Sequence, residues 1–348
     1  RKANTSLFVI DLSILSFSEL PLDKTNPKLL QFFSSNMQFC QDGDSLYIVG
    51  GFGLKMPTDA KSNHTFDQLV MLSVSKTIQA VEQKTDITEA IVATATSPFL
   101  QVAGGDMIKV GETFYLMFGQ KFEGEYTPGK TGEYTNAVRK FRLAQGMITD
   151  TSSYIDKEVL HRRDLPFAPV IQKAGIFYAA FGGVFTDNDD GFANPVYVNL
   201  NPFSVKQDTM QQMTNQYDCA IATIYDPASD MNINVLLGGI GKYQYDTASH
   251  QWKHGDGDIL LPFVKTITQM RFHAGRHHRE EFEERAASGR SPRDGAGQPG
   301  GGVRRQRLGA GPPVVGRPEA EAVGDGRALS RRVRRAPPGE RQRGNGVA

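Results

Sequence analysis

A mostly apolar stretch running straight into glycine recurs along this chain: "SLYIVGGFG" from Ser45, "TFYLMFGQK" from Thr113, "IFYAAFGGV" from Ile176 and "INVLLGGIG" from Ile233. The strand-ending glycines fall at Gly51, Gly119, Gly183 and Gly239, in steps of 68, 64 and 56 residues. Recurrence of this kind marks a repeat architecture, in which each unit buries its apolar faces only against its neighbours. Each unit opens with an apolar strand, passes a turn such as Asp42-Gly43-Asp44, and enters the strand that ends in glycine. After a longer loop comes an alternating third strand, "DQLVMLSV" from Asp67, "NAVRKFRL" from Asn136 or "NPVYVNL" from Asn194. A short fourth strand, "KTIQAVEQ" from Lys76 or "FSVKQDT" from Phe203, is expected to close the unit. Four antiparallel strands in repeats somewhat longer than about 40 to 50 residues predict an all-β fold, a β-propeller with its excess length in the loops after the glycines. Glycine there permits a close backbone approach that a Cβ would block.

The first blade is cut short on this reading. "SLFVIDL" from Ser6 reads as a third strand, four fuller blades follow, and "PFVKTITQM" from Pro262 would begin a sixth. Because open sheet edges invite aggregation, the intact ring is expected to have six or seven blades and to be incomplete here. The first residues, Arg1-Lys2-Ala3-Asn4, show neither Met nor signal peptide, consistent with a start inside the domain.

Composition divides the chain near residue 271. Residues 1–271 hold 23 Lys+Arg against 29 Asp+Glu, and residues 272–348 hold 16 against 9. The second part has 16 Arg and no Lys, 15 Gly, and no Ile, Tyr, Trp, Met or Thr. So little apolar content cannot offset the entropy of folding, so a disordered tail is expected at 272–348 after a propeller at 1–271. A basic tail would bind nucleic acid or acidic partners, and that partnership holds only if the tail is genuine. The abrupt exchange of Lys for Arg favours the other reading, GC-rich DNA translated out of frame, under which "HAGRHH" (His273, His277, His278) is no metal site. No apolar run approaches the roughly 18 residues of a membrane-spanning helix. Cys40 and Cys219 lie in different repeats without nearby metal-ligand partners and read as buried small hydrophobes.

"LYIVGG" at Leu46 to Gly51, "FGG" at Phe181 to Gly183 and "LLGG" at Leu236 to Gly239 resemble the kelch-repeat propellers. "HRRDLPFAPVI" from His161 and "PFVKTIT" from Pro262 are similar to secreted bacterial kelch-type proteins of unassigned activity, which often carry a C-terminal sorting domain. The resemblance spans about residues 4–270 and implies an extracellular or cell-surface location. It departs from the usual pattern in its single tryptophan, Trp252, and in its long loops.

Candidate site residues follow from placement. His161, Arg162, Arg163 and Asp164 stand where an innermost strand begins, at the channel mouth, and offer a contact for an anion or a carbohydrate; an Arg–Asp tie between blades is the alternative. Glu123 and Glu125, with Tyr134, lie in a loop whose carboxylates and aromatics suit sugar handling, although a solvated loop explains them as well. "FTDNDDGF" places Asp187, Asp189 and Asp190 in a weak calcium candidate whose spacing does not fit the EF-hand loop, and a solvated turn is favoured. "GEYTPGKT", Gly124 to Thr131, matches the phosphate-loop pattern but leads into a strand rather than the helix that such a loop requires. No nucleophile elbow occurs.

The kelch enzyme galactose oxidase holds copper with two tyrosines, two histidines and a crosslinked cysteine. Neither Cys40 nor Cys219 has a histidine close in sequence, so no cofactor is expected. The favoured function is a non-enzymatic recognition module binding a glycan or protein through its loops. The alternative is a carbohydrate-active enzyme, resembling a sialic acid mutarotase or a glycosidase, that uses acids and arginines at the channel mouth.

Overall fold

The computed structural model describes residues 4–56, 59, 61–125, 132–246, 248–254 and 261–273, and the backbone of 279–283. Its architecture is a propeller arrangement of four antiparallel sheets preceded by a hairpin. The hairpin pairs β1 (Ser6–Asp11) with β2 (Ser16–Pro21). Blade 1 runs β3 (Gln38–Asp42), β4 (Ser45–Val49), a small hairpin of β5 (Phe52–Leu54) and β6 (Asn63–Thr65), then β7 (Gln68–Ser73), α1 (Val74–Gln83) and β8 (Ile91–Thr96). Blade 2 holds β9 (Ala103–Val110), β10 (Thr113–Lys121), β11 (Glu133–Tyr134), β12 (Ala137–Ala144) and β13 (Met147–Ile155). Blade 3 is β14 (Phe167–Gln172), β15 (Gly175–Ala180), β16 (Val196–Leu200) and β17 (Phe203–Gln207). Blade 4 is β18 (Ala220–Asp226), β19 (Met231–Leu237), an inserted hairpin of β20 (Tyr243–Asp246) and β21 (Gln251–His254), then β22 (Ile267–His273) and β23 (Arg279–Glu283).

The core lies between successive sheets. Leu20 and Leu29 join Ile48, Val70 and Val81 on one face of blade 1, while Val49, Leu69, Leu116 and Phe141 fill the space between blades 1 and 2. Met117, Leu165 and Val196 do the same between blades 2 and 3, and Phe181, Leu236, Met270 and Phe272 between blades 3 and 4. Alternation supplies these faces, since every second strand residue points the same way.

The glycines answer the question that their recurrence raises. The chain entering each blade crosses over the end of the second strand of the blade before it: Gly51 N–H donates to Val102 O at 2.8 Å and Gly119 N–H to Arg162 O at 2.8 Å. A Cβ on Gly50 would stand 2.0 Å from Val102 O, and one on Gly182 only 1.9 Å from Asn215 O. Both also adopt positive φ, which glycine accepts without strain.

Two expectations are corrected. "KTIQAVEQ" is helix, not a fourth strand: Ser73 Oγ caps it by accepting from Lys76 N–H at 3.3 Å, Ala80 and Val81 are buried on one side, and Lys84 ends it in the left-handed region. The fourth strand of that blade is β8, which pairs with β7. "PFVKTITQM" starts no sixth blade, because β22 pairs with β19 as the third strand of blade 4, displaced along the sequence by the β20–β21 insertion. The composition boundary at 271/272 therefore falls within β22, whose Phe272 is fully buried, and β23 beyond it pairs with β22. Residues 284–348, where most of the expected tail lies, are outside the described residues.

Candidate functional site at the channel mouth

The first strands of successive blades sit side by side, β3 with β9 and β14 with β18. At the head of each stands one residue in the left-handed region: Asn36, Gly104, Asp164 and Asp218, with φ of 55°, 72°, 55° and 55°. Their backbones form a relay from blade head to blade head. Gly104 N–H donates to Asn36 O at 2.9 Å, Asp164 N–H to Gly104 O at 2.7 Å, and Asp218 N–H to Asp164 O at 2.9 Å. Asn36 Nδ2 also donates to Asp164 Oδ1 at 2.6 Å, joining the head of blade 1 to that of blade 3.

Arg163 is built into this rim. Its NH1 donates to Asp164 Oδ2 at 2.5 Å and its Nε to the Tyr134 hydroxyl at 3.3 Å, and the guanidinium lies 4.9 Å from the Phe185 ring centroid. The same hydroxyl accepts Phe185 N–H at 3.0 Å, so one tyrosine fixes both members of the stacked pair. The Tyr134 ring stacks on His161 at 3.8 Å and 22°. His161 Nδ1 lies 3.1 Å from Asn136 Oδ1, within hydrogen-bond reach. Burial pushes the His161 pKa down, against the pull of Asp187, which favours the neutral imidazole. His161, Arg163 and Asp164 thus lie together, and Tyr134, read from sequence with the separate Glu123 and Glu125 loop, joins them along with Phe185 and Asn36.

Arg162 does not belong with them. It is fully buried, its NH1 donating to Gly182 O at 3.1 Å and Asn194 O at 2.5 Å and its NH2 to Gln207 Oε1 at 3.2 Å, with the guanidinium 4.4 Å from the Phe192 ring centroid. This is a tie that recurs through the molecule. Gln31 donates to Gly50 O and Gln68 O at 2.9 and 3.0 Å. Gln216 donates to Gly238 O and Thr266 O at 2.9 and 3.3 Å. In each case a buried side chain from the segment before a blade satisfies the first glycine carbonyl and a carbonyl at or just ahead of the third strand. Blade 2 inverts the device: Arg139, from the third strand, reaches back to Phe99 O and Gln101 O at 2.7 and 3.4 Å.

The remaining candidates are placed differently. Glu123 is exposed, bridges to His64, and accepts from Gln101 Nε2 at 3.1 Å; Glu125 is exposed at the edge of the described loop. The phosphate-loop match lies mostly at 126–131, outside the described residues. Asp187 and Asp189 are exposed on a turn closed by Thr186, whose N–H donates to Asp190 O at 2.9 Å. Asp190 itself accepts from Lys242 Nζ at 2.7 Å, so a calcium ion there would have to displace a lysine. Among the described residues no group of three His, Cys, Asp or Glu side chains is arranged to hold a metal ion. Cys40 and Cys219 are free, with thiols pushed up to about 12 by burial. No helix among the described residues is long and apolar enough to cross a membrane.

Sequence reasoning missed Asn36, Asp218 and Phe185. The first two carry a usable signal, an Asn or Asp just ahead of an inner strand, because these residues tolerate the left-handed conformation best after glycine. No protein-family model matches this chain, and no curated protein matches it.

Proposed function

We propose that this chain is a kelch-type recognition module that binds a glycan at the channel mouth through Tyr134, His161, Arg163 and Phe185, outside the cell or on its surface. The observation that carries the reading is the pair of stacks, Tyr134 on His161 and Arg163 on Phe185, linked because the Tyr134 hydroxyl bonds both members of the second. Flat aromatic faces receive the apolar faces of sugar rings, and prepositioned donors and acceptors read their hydroxyls, at little entropic cost when the side chains are already fixed. The kelch resemblance and the propeller frame support a module that presents loops on a rigid body. Binding rather than turnover is favoured because both Asp164 oxygens are already engaged, by Asn36 and by Arg163.

The test is a glycan array probed with the wild-type chain and with Tyr134→Ala, followed by NMR of any retained sugar over hours. Retention that is lost in the variant, with the sugar unchanged, supports the module. Conversion of the sugar, abolished by Asp164→Asn, identifies the enzyme instead. Retention of no glycan by the wild-type chain overturns the glycan reading.

A further inference from the structure

We infer that the sugar taken by this cluster is uncharged: the site accepts neutral glycans and rejects uronic and sialic acids, and the Arg163–Asp164 pair sets that choice. The inference rests on the glycan reading above and adds the class of sugar. An arginine beside aromatic faces ordinarily invites a carboxylate, because the guanidinium fork matches one in bidentate fashion. Here the fork is already engaged. Arg163 NH1 meets Asp164 Oδ2 at 2.5 Å, and the two side chains are only 12% and 8% exposed. Arg163 Nε is committed to the Tyr134 hydroxyl at 3.3 Å. A ligand carboxylate would have to displace Asp164, which Asn36 Nδ2 holds through its other oxygen at 2.6 Å.

The charges around the two stacks act in the same direction. Asp187 and Asp189 follow Phe185 on one loop, and both are exposed. Asp218 is exposed at the head of blade 4, next to Tyr217, whose ring lies 6.5 Å from that of Phe185. Among the described residues none of these three carboxylates has an ion-pair partner. Two cations of the neighbouring loops are committed elsewhere, Lys121 to Glu133 at 2.9 Å and Lys242 to Asp190 at 2.7 Å. The cluster therefore presents negative charge to whatever approaches it. Like charges brought together penalise an anionic ligand and leave a neutral one of the same shape untouched.

What the cluster offers in place of a free cation is uncharged. The Tyr134 hydroxyl accepts from both Arg163 Nε and Phe185 N–H, so its own proton is left to donate. His161 Nε2 has no partner among the described residues. A phenol proton and an imidazole nitrogen read the hydroxyls or the acetamido group of a sugar, and neither needs a formal charge on the ligand.

The experiment titrates paired sugars into the full chain by calorimetry in metal-free buffer. The pairs are gluco-oligosaccharides beside oligoglucuronides, galacto-oligosaccharides beside oligogalacturonides, and N-acetyllactosamine with and without a terminal sialic acid. In every pair that binds, the neutral member is expected to bind tighter by about tenfold or more. Asp164→Asn releases the guanidinium and places at the head of blade 3 the residue type that blade 1 already carries there, Asn36; it is expected to narrow or reverse the preference. Asp187→Asn combined with Asp189→Asn changes only exposed positions and is expected to narrow it, with circular dichroism checking both folds. Equal or tighter binding of the acidic members by wild type overturns this inference and leaves the glycan reading standing. A preference unchanged in both variants overturns its assignment to these charges. Binding of no member of any pair overturns the glycan reading itself, and this inference with it.

Discussion

At the scale of the residue, the buried ties and the glycines they serve make the firmest predictions. Removing Arg162 leaves two buried carbonyls without their donor, and unpaired buried polar groups cost about 1–3 kcal/mol each. Arg162→Leu is therefore expected to lower unfolding stability by roughly 3 kcal/mol in urea titration, and Gln31→Leu and Gln216→Leu by smaller amounts of the same sign. A loss under about 0.5 kcal/mol in all three would show that the recurrence has no energetic role. Asp106 carries a different signal. The residue as a whole is only partly covered, yet burial of its carboxyl raises the pKa to about 7. A carboxyl whose folded pKa lies above its unfolded value binds protons more tightly in the native state, so stability falls as pH rises from about 4 to about 7. Asp106→Asn is expected to raise Tm at pH 8 and to leave it nearly unchanged at pH 4; an equal effect at both pH values would contradict the assignment. The glycines were legible in sequence because their cause is local and repeated. The role of Arg162 was not, since nothing in "HRRD" says which arginine turns inward.

At the scale of the element, helix α1 and the β20–β21 insertion show what strand alternation can and cannot reveal. "KTIQAVEQ" is polar enough to pass for an edge strand, and its helical character rests on the Ser73 cap and on Asp44, which accepts from Ser73 Oγ at 2.6 Å and from Ser75 N–H at 2.8 Å. Ser73→Ala is expected to cost about 1 kcal/mol, the usual worth of such a cap, measured by thermal or urea unfolding. A neutral outcome would mean that packing of Ala80 and Val81 alone holds the helix. The third strand of blade 4 is hidden in the sequence for a related reason. Two short strands inserted after Gly239 separate β22 from β19, and sequence order alone does not tell an insertion from a new blade.

At the scale of the whole molecule, the propeller follows from the repeat, whereas the side-chain cluster at the blade heads depends on contacts between residues far apart in the chain. Asn36 and Asp164 meet across 128 positions, and Tyr134 reaches Arg163 across 29. Each of these residues looks ordinary on its own strand or loop, so only His161, Arg163 and Asp164, adjacent in sequence, announced the rim. The packing of the blades depends on the relay that joins their heads. The most direct test is amide hydrogen exchange, followed by NMR at Gly104, Asp164 and Asp218 in the intact chain. Protection at all three comparable to that of the inner strands is predicted, because each N–H is committed to the neighbouring blade. Exchange at the rate of open loops, while the strands stay protected, would contradict the arrangement of the blades and the site it supports.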